Sequence, residues 1–553
     1  MFRLARANRE VLGTQAPEQL PRTITAVTGA PGDDVPGLLT LADWFGCGLR
    51  AAPDGTAIRI GARDHSYAEL HATALRLAGA MIASCGGQPR AAGVLAARSV
   101  AAYAGILAAC YAGARVVPLS PAFPAGRTAA MAAAAGVEVI VADRQAQPAL
   151  PAFAQALPGV PVLSLDAELA VPAEVAGPAV TQAGALPAPA PARPGDPAYV
   201  LFTSGSTGRP KAVPVTHASM AHFIDINLRR YALSPADVCS QTFDTTFDLA
   251  MFDLFVTWAA GATLVSTPPQ AFLQLPEFAR RNGLTLWFSV PSAIALLRRR
   301  GALVPGALAG LRWSLFCGEP LTAGDARDWQ RAAPGSAVEN LYGPTELTIA
   351  CTAYRWDEEV SPGQCVNGLV PIGELYPGLS ARLLGDDGQA REDEGELCVR
   401  GPQMFDGYLD PADDAGRFVT LDAARYYRTG DLVRLAGPAG YAYLGRADQQ
   451  VKIRGYRVEL AELEWHARSV AGVENAIVVP VDDRSSRRLF AWYTGEPEAG
   501  DRIGTELRGA LPEFMVPHWT RRLDRFPLNA NRKVDRKALT AMAQELVGDA
   551  RRD

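Results

Sequence analysis

No stretch of the chain approaches the ~18 consecutive apolar residues that a bilayer crossing requires, so a membrane-spanning protein is not expected. The first residues, MFRLARANREVLGTQ, are broken by charges every few positions and lack the apolar core of a signal peptide. Paired CxxC spacings are also missing: Cys47, Cys85, Cys110, Cys239, Cys317, Cys351, Cys365 and Cys398 are scattered. That scatter excludes a zinc site or a disulfide framework and fits free thiols in a reducing compartment, so the expected location is the cytoplasm, with no membrane partner. Basic blocks interleaved with aromatics are absent, and 53 basic against 58 acidic residues leave a net charge of −5. A nucleic-acid partner is therefore not expected. There is no internal repeat. What remains is an ordinary globular composition, 48% hydrophobic over 553 residues. At roughly 150 residues per domain, two to four domains would fit.

The segment YAELHATALRLAGAMIAS (67–84) has apolar residues at helical spacing, and AAGVLAARSVAAYAGILAACYAGARVVPLSP reads as strand, Ala-rich helix, strand. VEVIVAD (137–143), VPVLSL (160–165), AYVLFTS, ATLVST, LTLWFSVPS and LRWSLFCGE are short buried-strand patterns, several of them ending in polar or glycine-containing residues. Strands alternating with helices predict an α/β fold with parallel, helix-covered sheets, whose strand ends gather ligand chemistry. The Ala/Pro-rich stretch Ala167–Pro197 reads as a surface connector. From about residue 445 the chain becomes more charged, and VKIRGYRVELAELEWHARSV predicts a strand turning through Gly455 into an amphipathic helix. A small α+β domain is expected to start there.

The stretch LFTSGSTGRPKAVPVTH (201–217) suggests a phosphate cradle, because small residues let backbone amides approach an anion and hydroxyls add donors. It is not the usual P-loop: Gly205 and Gly208 have two residues between them, and Pro210 precedes Lys211. A plain turn is the alternative.

Five further segments accompany it in order: NLYGPTELTIA (340–350), YRTGDLVR (427–434), GRADQQVKIRGYRVELAELE (445–464), LPEFMVP (511–517) and PLNANRKVDRKAL (527–539). Together they resemble the core motifs of the adenylate-forming superfamily from about residue 40 to 540, most closely the amino-acid adenylation domains of nonribosomal peptide synthesis. The resemblance implies a large N-terminal domain of helix-covered β-sheets (1–445) and a small mobile α+β C-terminal domain (446–553). It implies that a carboxylate is joined to the α-phosphate of ATP with loss of pyrophosphate. That reaction needs no general base, because the attacking carboxylate is already ionised, but it needs cations and donors positioned beforehand.

By the same resemblance, Thr203, Ser204, Gly205, Thr207, Gly208 and Lys211 cradle the β- and γ-phosphates. Gly318 and Glu319 lie along the adenine, Tyr342 stacks on it, Asp431 takes the ribose hydroxyls, and Arg446 sits near the ribose. Thr345 donates to the α-phosphate, Glu346 holds Mg2+, and Lys533 bridges the substrate carboxylate and the reacting phosphate. Asp448 is the hinge, and Lys452 and Gly455 belong to the loop offered to the thiol. Two departures from the family pattern stand out: Ala212 and Arg532 each occupy a position where glycine is usual.

In amino-acid-activating members an Asp that binds the ammonium precedes a Phe by seven residues. Asp248 and Phe255 satisfy this, and Asp244 and Asp253 compete for the role. The resemblance lines the pocket with Leu249, Phe252, Phe288, Leu315, Cys317, Leu341, Ile349 and Ala350. With no second charge there, charged and strongly polar side chains are disfavoured. The set is similar to that of free-standing prolyl adenylating enzymes. It points to proline first, with valine, alanine or a small nonproteinogenic amino acid open. The expected acceptor is the phosphopantetheine thiol of a separate carrier protein, and a small MbtH-type helper stays open as a further partner. Coenzyme A, as in acyl-coenzyme A synthetases, is the alternative acceptor, and a non-catalytic nucleotide-binding protein is a third reading.

Overall fold

A computed structural model describes residues 39–205, 209–385, 387–447, 450–483, 486–527 and 534–549. Two sheets built around parallel strands organise the larger part. In one, Val162–Ser164, Val139–Ala142, Ala91–Leu95, Arg115–Leu119 and Pro197–Thr203 run parallel in that order, and Lys211–Thr216 closes the edge antiparallel. In the other, the parallel run is Ala337–Tyr342, Trp313–Phe316, Leu286–Ser289, Val238–Gln241, Thr263–Ser266 and Thr56–Ile60, with antiparallel strands at both edges. Strands such as Val139–Ala142 and Leu286–Ser289 are buried along their whole length. Such strands read as continuous apolar runs because helices or loops cover both faces.

The helices Val100–Tyr111 and Leu249–Ala259 have no polar face. Every residue of the second is buried, as is all of the first from Ala101 on, and both belong to one apolar core. A helix that is apolar all round must lie inside the protein. The second helix begins directly after Asp248, whose side chain makes no capping bond to it.

Residues Ser380–Arg446 add an antiparallel sheet that the sequence reading did not foresee. From Gln450 the chain forms a hairpin, Gln450–Ile453 with Tyr456–Glu459, followed by the helix Leu460–Arg468. The expected single strand turning through Gly455 is thus two strands turning at Arg454 and Gly455, and the helix follows the second. A three-stranded sheet, Val473–Asp483, Ser486–Gly495 and Trp519–Arg522, packs with the helices Ala499–Ala510 and Arg536–Asp549. Two apolar cores here draw on residues beyond 450, including Leu463 and Ile503 in one and Trp492 and Leu539 in the other. No helix among the described residues is long and apolar enough to cross a membrane.

The Ala/Pro-rich connector is only partly superficial: Leu169 and Val175 are buried in a core, and Leu186 N–H donates to Leu75 O at 3.1 Å. Its Gly184 carbonyl rests on the helix Tyr67–Cys85, where a Cβ on Gly79 would come within 1.8 Å of the Gly184 oxygen. Helix propensity alone would make Gly79→Ala stabilising by about 1 kcal/mol. The close approach predicts the opposite, a loss of about 1–3 kcal/mol on overpacking, measurable by urea unfolding.

Candidate active site

The functional residues gather at the carboxyl ends of parallel strands. Ser204 follows Pro197–Thr203, Cys317 to Glu319 follow Trp313–Phe316, and Gly343 to Glu346 follow Ala337–Tyr342. Strand ends leave backbone groups unpaired and are where such sheets accept ligands. Two clefts meet here. One of about 460 Å³ is walled by Asp248, Leu249, Cys317, Thr345, Ile349 and Asp431, among others. The other, about 710 Å³, reaches Asp248 and Thr345 past Phe123, Phe247, Tyr456 and Phe514.

Asp248 is 6% exposed and lines both clefts. Burial pushes its carboxyl up to about 6, partly opposed by a hydrogen bond from Thr345. Its two competitors are engaged elsewhere. Asp244 accepts from Thr246 N at 3.0 Å, Thr246 Oγ1 at 2.7 Å and Ser120 Oγ at 3.2 Å. Asp253 accepts from Thr242 N at 3.1 Å, and burial raises its carboxyl well above the usual range.

Leu249, Cys317 and Ile349 stand on the cleft wall with Asp248. Phe252 and Phe288, outside the cleft lining, meet edge to face with ring centres 4.9 Å apart. Both rings, with Leu315 and Ala350, are buried in the surrounding core, and Leu341 lines an adjoining cleft with Gly318, Glu319, Tyr342 and Lys452. Thr348 and Ile349 have φ of 58° and 72°. For residues with β-branched side chains this left-handed backbone is strained, costing ~1–3 kcal/mol each.

On the opposite side, Tyr342 OH donates to Asp431 Oδ2 at 2.6 Å and Arg446 Nη1 to Asp431 Oδ1 at 2.8 Å, with Asp431 only 4% exposed. Lys452 Nζ lies 5.9 Å over the Tyr342 ring. Lys211 is drawn aside: its Nζ is 3.6 Å from Asp413 and 5.1 Å over the Tyr408 ring, and burial lowers its pKa.

The hairpin Gln450–Glu459 is docked into this site. Glu346, fully buried, is gripped by Arg457 Nη1 at 3.0 and 3.1 Å and accepts from Tyr408 OH at 2.6 Å. Burial opposes ionisation of Glu346, but Arg457 and Tyr408 outweigh it and hold the carboxyl below its ordinary value. Ser204 Oγ donates to Arg457 O at 2.7 Å and accepts from Glu459 N at 3.0 Å. Glu319 accepts from Gly455 N at 2.8 Å and Ser292 N at 2.9 Å. Gly455 has φ of 83°, and a Cβ there would sit 2.4 Å from Val290 Cγ1, so only glycine lets the turn come this close. Tyr456 stacks on Phe514 at 3.8 Å and reaches Phe247 at 5.2 Å. Arg127 pairs with the buried Glu462 at 2.8 Å.

Compared with known proteins, residues 48–409 match the AMP-binding enzyme family. The chain belongs to that family. Among its relatives, CymA of Salinispora arenicola, described as a probable nonribosomal peptide synthetase, is 35% identical over 528 residues, 92% of this chain. The L-proline--[L-prolyl-carrier protein] ligase of Streptomyces coelicolor is 37% identical over 359 residues, 63% of this chain. The chain spans 6% of the length of the first and 66% of the second. The crystal structure of IdnL7 superposes with a TM-score of 0.72 at 49% identity, covering 92% of this chain and 99% of that one.

In this AMP-binding enzyme twelve of the residues singled out from sequence line the two clefts, namely Thr203, Ser204, Asp248, Leu249, Cys317, Gly318, Thr345, Ile349, Asp431, Arg446, Lys452 and Gly455. Thr207, Gly208, Asp448 and Lys533 lie outside the described residues. Sequence reasoning missed Arg457 and Phe247. Arg457 stands two residues beyond Gly455 in a motif already quoted, and an arginine beside a turn carries no periodic signal of burial. Phe247 directly precedes Asp248.

A carboxyl raised to about 6 when folded and near 3.9 when unfolded binds more protons in the folded state between those values, so it destabilises the fold as pH rises through that window. Asp248→Asn is expected to stabilise the ligand-free protein by on the order of 2–3 kcal/mol above pH 6. Below pH 4 the difference should vanish, and denaturant unfolding at both pH values checks it.

Proposed function

We propose that this protein activates a small apolar amino acid, proline in first place and valine or alanine next, as its aminoacyl adenylate. It then passes the aminoacyl group to the phosphopantetheine thiol of a separate carrier protein. The observation that carries this reading is Asp248: a buried carboxylate on a cleft wall beside the apolar Phe247, Leu249 and Ile349, whereas the other charged residues of that cleft, Asp431, Arg446, Lys452 and Arg457, are those assigned to the nucleotide or carried by the C-terminal hairpin. An ammonium taken from water requires an ionised, hydrogen-bonded partner, and Asp248 is the group suited to it. The named specificity of the Streptomyces coelicolor relative for L-proline supports the choice of first substrate.

In the first step an oxygen of the substrate carboxylate attacks the α-phosphorus of ATP, and the bond to the pyrophosphate oxygen breaks. Thr345, between the two clefts, is suited to donate to the α-phosphate. Asp431 and Arg446 are suited to fix the ribose, and Tyr342, held by Asp431, to face the adenine. Lys533 is assigned the bridging cation. In the second step the carrier thiolate attacks the acyl carbon and AMP leaves. The aromatic-walled cleft past Phe123, Phe247, Tyr456 and Phe514 offers the thiol arm a route to Asp248 and Thr345. Coenzyme A remains the weaker acceptor reading, since simple acids have no use for Asp248.

Magnesium fits the chemistry of Glu346, an oxygen donor suited to a hard ion that binds through one or two carboxylates plus phosphates. No group of three or more possible ligands occurs among the described residues, so phosphate oxygens would complete the shell. The ion would screen the phosphate charge. Because Arg457 spans both oxygens of Glu346, the docked hairpin and a cation at Glu346 exclude each other. Together with the hairpin's hold on Ser204, this supports an order in which the C-terminal part (446–553) docks as found only after pyrophosphate has gone, turning about Asp448.

Three outcomes follow. Intact-protein mass spectrometry of a phosphopantetheinylated carrier, incubated with enzyme, ATP, magnesium and proline, should record addition of one prolyl group. Lys533→Ala should abolish that gain while ATP binding is retained; full activity of Lys533→Ala would refute its assigned role. Arg457→Gln strips the docked state of its counter-charge, so the KM for ATP in pyrophosphate exchange should fall by a factor of about three to ten while carrier loading slows.

A further inference from the structure

Thr348 and Ile349 sit in strained backbone, Ile349 on the wall of the amino-acid cleft, and something must hold them there. Gln403, fully buried, reaches into that turn from the antiparallel sheet's side of the molecule. Its Nε2 donates to Ala350 O at 2.8 Å, Leu347 O at 3.1 Å and Thr348 O at 3.3 Å, three carbonyls sharing two hydrogens. Thr348 Oγ1 donates in return to Gln403 O at 2.7 Å. The amide's orientation is itself fixed, because His222 Nδ1 donates to Gln403 Oε1 at 3.2 Å. A single side chain thus closes the turn that presents Ile349.

The anchoring of Glu346 is separate. Its carbonyl accepts from Phe405 N at 3.0 Å, and its carboxylate is held by Tyr408 and Arg457. Loss of the Gln403 amide therefore loosens Ile349 without releasing Glu346. An apolar substitute removes the donor from the Leu347 and Ala350 carbonyls, while Thr348 O keeps its bond from Ala350 N at 2.9 Å.

We infer that Gln403 is a positioning residue for substrate choice: through the Leu347–Ala350 turn it fixes Ile349, and so sets the shape of the amino-acid cleft without touching the substrate. The inference rests on the reading of that cleft as an amino-acid site. It predicts a split between the two substrates of the first half-reaction, which a general loss of stability would not produce.

The test is amino-acid-dependent pyrophosphate exchange by Gln403→Met and Gln403→Asn beside the unmodified protein, across proline, valine, alanine and larger apolar amino acids. Gln403→Met is expected to raise the KM for the preferred amino acid about ten-fold and to flatten the preference over the panel by a similar factor, with the KM for ATP unchanged within about two-fold. Gln403→Asn keeps the amide one methylene short and should fall between the two; it also serves if the Met variant does not fold. An unchanged panel profile in the folded variants, or a KM for ATP that rises in step with that for the amino acid, overturns the role of Gln403 alone. Silence of the unmodified protein with every amino acid overturns the amino-acid reading and this inference with it.

Discussion

Glu346 and Arg457, 111 residues apart in sequence, form an ion pair whose side chains are 0% and 14% exposed. Neither charge could be buried alone, since an unpaired ion in such a place costs several kcal/mol, and breaking a buried pair is far more damaging than never forming it. The pair therefore binds the C-terminal hairpin to the strand ends of the large sheets as one electrostatic unit. Around it the other contacts fall into line: Ser204 clasps the backbone on either side of Val458, Glu319 takes the Gly455 amide, and Tyr456 stacks on Phe514. The two clefts that meet at Asp248 and Thr345 have the shape they do because this hairpin forms part of their walls.

That arrangement makes the site a place where charges are exchanged rather than added. The groups assigned to a nucleotide's phosphates and metal are, in the docked state, satisfied by the protein's own backbone and guanidinium. On the proposed order, a polyanion and its cation would displace them, and their departure would let the hairpin return. Asp248 differs in that burial outweighs the pull of Lys452 and of its hydrogen bonds. Its cost is carried as a raised pKa, and an incoming ammonium relieves that cost. Phe252 and Phe288 lie in the adjoining core, and on the proposed reading the fit of a substrate depends on the stiffness of the turn that carries Ile349.

Much of this was legible in the sequence because it is written in local patterns. The strands Ala91–Leu95, Arg115–Leu119 and Val139–Ala142 and the all-buried helices appear as apolar runs, which a parallel sheet demands. Asp248, Thr345 and Asp431 lie within short motifs, and all three line one cleft. The antiparallel sheet of Ser380–Arg446 was not legible, since its strands alternate weakly, even though some of its pairings are short hairpins such as Leu421 with Ala424. Arg457 and Gln403 were missed for one shared reason: a buried polar side chain looks like a surface one until its partners are known. The connector was misjudged because alanine and proline say nothing of Gly184 resting on a helix.

The most direct test of the account is pyrophosphate exchange by the purified protein with ATP and magnesium, comparing proline with cyclopentanecarboxylic acid, which keeps the ring and the carboxylate but lacks the amine. Exchange with proline and none with the carbocyclic acid is the predicted result, because only proline can answer the charge of Asp248. Equal exchange with both, or exchange with the carbocyclic acid alone, would contradict the assignment of Asp248 and with it the amino-acid reading of the site.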